Sequence, residues 1–282
     1  MKKNSYRLTV HTDEQMFLMQ KISECYLRER MGQFWDLAED LASEGSGYSY
    51  DNDDPDHEEK FSAYIHRRDE TEKTFNKAFA ATNASRMRQG TANIAGDFFT
   101  TIRYAMWLER PEPKPHGTVD SNPCYRWSEE QEPPKCYKGN GEDGSEAWLM
   151  EMDRTQLVLL QNMAETFMRE RAGQFWLLTD SLAYEGLDYN SKGPDFEDRH
   201  RECAENAGKA QELFEAGYRA SGAADYPQKT KRMMMAYDIY SVIRHALWLE
   251  NPDPNNHLAS GKPLHECAEV PLIEIERKQD VR

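Results

Sequence analysis

Hydrophobic positions along the first third of the chain follow two periods. Tyr6-Arg7-Leu8-Thr9-Val10-His11 alternates polar and apolar residues, the pattern of a strand with one buried face. From Thr12 the period becomes helical: Met16, Met19, Ile22, Tyr26, Phe34, Leu37 or Ala38, and Leu41 share one face. Thr12 followed by Gln15 forms a capping box at the start of this helix, which is expected to run to Glu44 with Gly45 as its C′ residue. A Gly-, Asp- and Asn-rich loop follows, then a second helix from about His57 to Thr82 with Phe75 and Phe79 one turn apart. A third helix is predicted from about Ala92 to Glu109, with Ile94, Phe98, Ile102 and Ala105 on one face, stopped by Pro111 and Pro113.

The same order then recurs. Arg28-Glu29-Arg30-Met31-Gly32-Gln33-Phe34-Trp35 returns as Arg169-Glu170-Arg171-Ala172-Gly173-Gln174-Phe175-Trp176, an offset of 141 residues that also relates Trp107-Leu108-Glu109 to Trp248-Leu249-Glu250. The chain therefore reads as a tandem duplication: a first unit over 1–115, a Pro/Gly-rich linker over 116–146 and a second unit over 147–282. The fold class expected is mainly α, two tandem three-helix units in a pseudo-twofold arrangement, each with a small β element. Leu149 to Met152 is the second strand, with Asp153 or Thr155 as cap of the helix after it, and Val270 to Glu276 alternates as a further strand able to pair with either unit. The second helix is poorly preserved between the copies and reads as a packing surface with loose requirements. Trp35 and Trp107, with their twins, read as core anchors.

Two drifting copies need keep only core residues to stay folded, so polar residues kept in both are informative. Among these are Arg28/169, Glu29/170, Arg30/171, Gly32/173, Gln33/174, Glu44/185, Asp97/238 and Arg103/244. Steps of four from Tyr26 give Arg30 and then Phe34, so a guanidinium interrupts the apolar stripe, and Arg171 does the same between Phe167 and Phe175. An arginine facing a core needs a carboxylate, and Asp97 and Asp238 on the third helices are the expected partners, forming ion pairs Arg30–Asp97 and Arg171–Asp238. The alternative is an anion-binding set of Arg28, Arg30, Gln33 and Arg103, repeated as Arg169, Arg171, Gln174 and Arg244, whose forked donors suit phosphate or carboxylate. Gly32 and Gly173 fall mid-helix on this reading, at a cost of about 1 kcal/mol, and imply close helix crossing.

Catalytic signals are sparse. No Gly-rich phosphate loop and no GxSxG occurs, so an enzyme is the less favoured reading, and no cofactor is expected. Glu24, Glu39, Asp40, Glu44 and Asp97 are similar to the carboxylates of the helical nucleotide pyrophosphatases, which hold Mg²⁺. Only Glu24, Glu44 and Asp97 recur in the second copy, which leaves metal-dependent nucleotide hydrolysis as a further alternative. His116 and Cys124, matched by His257 and His265, are ligand-type residues at a spacing unusual for zinc, and no metal is expected there.

Charge narrows the partners. With 35 Lys and Arg against 50 Asp and Glu, the net charge is −15, which opposes direct nucleic-acid binding. Five cysteines without a CxxC pair, no leader-like apolar stretch and no membrane-length apolar run point to a cytoplasmic protein. Gly32-Gln33-Phe34, Gly173-Gln174-Phe175, Ile243-Arg244-His245-Ala246-Leu247-Trp248 and the ending Pro271-Leu272-Ile273-Glu274-Ile275-Glu276 resemble a group of short phage and prophage proteins of no agreed activity. The resemblance implies an accessory protein of a mobile element in a bacterial host cytoplasm, a monomer built as a pseudo-dimer or a homodimer. Its expected action is to bind a host protein, as an inhibitor of a defence or nucleic-acid-handling system. A binder or sponge for an anionic nucleotide, using the duplicated arginines, is the alternative.

Overall fold

The structure, a computed structural model, describes residues 5–48, 55–84, 90–109, 128, 131–141, 143–185, 187, 193, 195–225, 230–252 and 270–278. Within them the chain is mainly helical, with one small antiparallel sheet. The elements are β1 (Ser5–Val10), α1 (Asp13–Arg30), α2 (Trp35–Ser46), α3 (His57–Ala81), α4 (Thr91–Leu108), β2 (Lys135–Asn140), β3 (Glu146–Asp153), α5 (Arg154–Arg171), α6 (Trp176–Ala183), α7 (Phe196–Ser221), α8 (Lys231–Glu250) and β4 (Glu274–Lys278). No helix among the described residues is long and apolar enough to cross a membrane.

These elements fall into two compact units: 1–27 with 88–168 and 230–282, and 28–87 with 169–229. The division does not follow the repeat boundary, because each unit draws residues from both copies. It also places the end of the expected 116–146 linker in the first unit, where residues 135–140 form β2.

The first unit holds the sheet, in the order β2-β3-β1-β4. The strands expected as separate elements of the two copies lie side by side, with Arg7 opposite Glu151. The alternating C-terminal stretch adds β4 to the other edge of β1, Arg7 standing opposite Glu276. Both helices that follow these strands start on a capping box. The Gln15 N–H donates to Thr12 Oγ1 at 3.2 Å and the Thr12 N–H to Gln15 Oε1 at 3.2 Å. In the second copy the Gln156 N–H donates to Asp153 Oδ1 at 3.0 Å and the Asp153 N–H to Gln156 Oε1 at 2.9 Å. The buried residues include Leu8, Val10, Met16, Met19, Ile22, Phe98 and Ile102 of the predicted apolar faces, together with Met150, Leu157, Leu160, Ile239 and Ile243.

One carboxylate ties the four strands together. Glu151 of β3 accepts from Lys278 of β4, from Arg7 of β1 at 3.1 Å and from the Tyr137 hydroxyl of β2 at 2.9 Å. The Lys278 ammonium, with help from Tyr137 and Arg7, holds the Glu151 carboxyl down to about 2. A pKa below that of the unfolded chain adds stability above pH 4.5, which is lost as pH falls toward 2. Glu151→Gln is therefore expected to lower stability at pH 7 by roughly 2 kcal/mol, an effect that shrinks on acidification. Denaturant unfolding of wild type and variant at pH 7 and pH 3 checks both the sign and the trend.

The second unit is built from α2, α3, α6 and α7 around an aromatic centre. Phe34 lies 5.3 Å from Phe214 and 6.0 Å from Phe75, ring centre to ring centre. Phe75 is 5.2 Å from Phe214, and Phe175 is 5.4 Å from Phe214. Leu37, Leu41, Phe79, Leu178 and Leu182 surround this quartet. Here α3 and α7, read from sequence as a loosely constrained packing surface, supply two of the four central rings. Their close approach is made possible by Gly217, where a Cβ would come within 2.5 Å of the Phe75 ring.

Candidate functional site

The repeated Arg-Glu-Arg-X-Gly-Gln-Phe-Trp stretch is not the middle of a long helix. It is a helix end, a turn and a second helix start. The Gln33 N–H donates to Arg28 O at 2.9 Å and the Gly32 N–H to Glu29 O at 3.0 Å, the paired closing bonds of a Schellman turn. The second copy repeats them, Gln174 to Arg169 O at 2.8 Å and Gly173 to Glu170 O at 3.0 Å. Gly32 takes φ +67° and Gly173 φ +74°, the left-handed region that favours glycine. Space is short as well: a Cβ on Gly32 would lie 2.8 Å from Phe79, and on Gly173 2.7 Å from Tyr218. The sequence reading of these glycines as helix-crossing positions is thus corrected. So is that of Gly45, which lies inside α2 with its Cβ direction blocked by the Ser221 carbonyl; Gly47 is the left-handed cap.

The turn directs the repeated residues two ways. Outward go the tryptophans: Trp35 is 41% exposed and Trp176 42%, so neither is the core anchor expected from the sequence. Each carries a guanidinium over its ring, Arg28 over Trp35 and Arg169 over Trp176, both at 5.0 Å. The glutamines of the turn accept from the same arginines, Gln174 at 2.8 Å and Gln33 at 3.5 Å. Asp36 adds an ion pair to Arg28 at 3.0 Å, for which the second copy has Leu177. Trp107 and Trp248, in the first unit, are half-buried and stack on Tyr104 and His245.

Inward go Glu29, Arg30, Glu170 and Arg171, all buried, with Asp36 beside them. The ion pair described for Arg171 is with Asp40, at 2.5 Å, rather than with Asp238 as the helix pattern suggested. Arg30 acts electrostatically on Glu29, Glu170 and Glu185. Asp97 and Asp238 belong to the first unit, where Asp97 accepts the Ser128 N–H at 3.1 Å. Arg103 and Arg244 belong there too, stacked over Phe99 at 4.6 Å and Tyr240 at 5.0 Å. The second unit therefore gathers Arg28, Arg30, Gln33, Arg169, Arg171 and Gln174 from the residues singled out in the sequence.

Glu29 and Glu170 are kept in both copies yet do not stand among the candidates drawn from the sequence. A signal for them exists: Glu29 falls seven residues after Ile22 and three after Tyr26, on the buried face of α1. Burial pushes the Glu29 carboxyl up to about 7, against the pull of Arg171 and Arg30, and drives that of Glu170 well above the ordinary carboxylate range.

Among the described residues no group of three or more His, Cys, Asp or Glu is placed to hold a metal ion. His116, Cys124, His257 and His265 lie outside the described residues. No family model matches the chain, and neither a curated protein nor a solved structure matches it.

Proposed function

We propose that this chain works by binding another protein, as an accessory protein of a mobile element directed at a host factor. The observation that carries this reading is the pair of half-exposed tryptophans, each held under its own arginine at the same place in the two copies. Tryptophan and arginine are the side chains that most often dominate protein interfaces, because a large rigid surface is desolvated at small entropic cost. The net charge of −15 favours a partner with a basic face and speeds its approach. On this reading the two copies stand in for the subunits of a dimer, presenting the same anchor twice.

The test is capture from bacterial host lysate with tagged wild-type protein and with the Trp35→Ala, Trp176→Ala double variant. Wild type is expected to retain a discrete protein that the double variant recovers at least tenfold less well. Equal recovery by both, or no protein retained by either, contradicts the reading.

A further inference from the structure

Glu29 and Glu170 occupy equivalent positions in the two copies, and both are buried, at 2% and 1% exposure. Glu29 Oε1 and both carboxyl oxygens of Glu170 are closed off from solvent and accept from no N–H or O–H donor of another group. The charge of Glu29 acts against ionisation of Glu170. Two carboxylates ionised together at these buried, unpartnered positions cost far more than one neutralised.

Charge balance leads to the same count. The buried residues here are Glu29, Glu170 and Asp36 against Arg30 and Arg171, one acid in excess. Adding the rim pairs Arg28–Asp36 and Arg171–Asp40 brings in one further arginine and one further acid, so the excess of one remains. Further titratable groups on the elements around the pair include Arg169 of α5, Glu39 and Glu44 of α2, Asp180 of α6, Glu185 after α6 and Tyr218 of α7. Of these, Tyr218 reaches the Arg171 carbonyl through its hydroxyl at 3.5 Å.

We propose that Glu29 and Glu170 between them retain a proton at neutral pH and that its loss makes the second unit a pH-sensitive element, firm in acid and loosened in alkali. Both carboxyls sit above the 4.5 of the unfolded chain, so the folded protein binds more protons than the unfolded one. The stability they contribute is complete below pH 4.5 and is lost as pH rises through about 7 and beyond. This is the reverse of the Glu151 contribution in the sheet.

Two measurements on the full chain test it. Melting temperature is followed from pH 5 to pH 9 for wild type, Glu170→Gln and the Glu29→Gln, Glu170→Gln double variant. Wild type is expected to lose stability across this range. Glu170→Gln is expected to lose at most half as much, since its carboxamide is neutral at every pH, and the double variant least. Parallel profiles for all three overturn the proposal. Infrared spectra of wild type at pH 7 provide a reading that needs no variant: a protonated-carboxyl carbonyl band is expected. The same band is lost in the double variant where that folds. Absence of the band in wild type at pH 7, or its persistence in the double variant, also overturns it.

Discussion

Arg171→Leu is expected to destabilise the protein by about 3–5 kcal/mol, the usual cost of leaving a buried charge without its partner. The Arg171 side chain is 2% exposed and lies 2.5 Å from Asp40, and it is the strongest favourable charge acting on Glu29. Leucine fills part of the volume but leaves Asp40, Glu29 and Glu170 with Arg30 as the remaining buried cation. Those acids can then be accommodated only by taking up protons, so the loss is expected to be smaller at pH 5 than at pH 8. Arg171→Lys keeps the charge without the fork and is expected to recover part of the deficit. Urea unfolding at the two pH values measures both effects. A loss that is the same at pH 5 and pH 8 would show that Arg171 acts through packing alone.

Phe214→Ala is the second large effect, again about 3–5 kcal/mol. The Phe214 ring lies 5.2 to 5.4 Å from Phe34, Phe75 and Phe175, so its removal takes one member from three ring pairs and opens a cavity bounded by rigid side chains. The quartet draws Phe34 and Phe75 from the first copy and Phe175 and Phe214 from the second. Hydrogen exchange is expected to show lost protection in α2, α3, α6 and α7 together, because one core serves all four.

What the sequence discloses depends on how local the cause is. The capping box at Thr12 is legible because it is complete within four residues, and Asp153 is one of the two caps the pattern offers for the corresponding helix. The helix boundaries of α3 and α4 follow from apolar spacing and from the prolines. The break at Gly32 is hidden because α1 and α2 keep Tyr26, Arg30 and Phe34 at steps of four across the turn, so the periodicity carries no mark of it. Only the paired glycines hint at it, and they suit a close helix crossing equally well. The pairing of β1 with β3 joins residues far apart in sequence, and no local pattern encodes such a partner. Arg171 finds Asp40 for the same reason. Asp40 has Ser181 as its counterpart, so comparing the copies directs attention away from the carboxylate that matters. Trp35 is misplaced by the sequence pattern because composition favours burying tryptophan, whereas its position after the turn sets it at the surface.

The proposed role of the repeated turn is to present two tryptophan–arginine anchors to another protein. Its most direct measurement is calorimetric titration of the captured partner into wild type, Trp35→Ala, Trp176→Ala and the double variant, with melting temperatures taken in parallel. Each single change is expected to weaken binding by roughly 10- to 30-fold and the double change by more than about 100-fold, in proportion to a hot-spot loss near 2 kcal/mol per anchor. Melting temperatures should stay near wild type, since neither ring belongs to the core. An unchanged affinity in the double variant would contradict the claim.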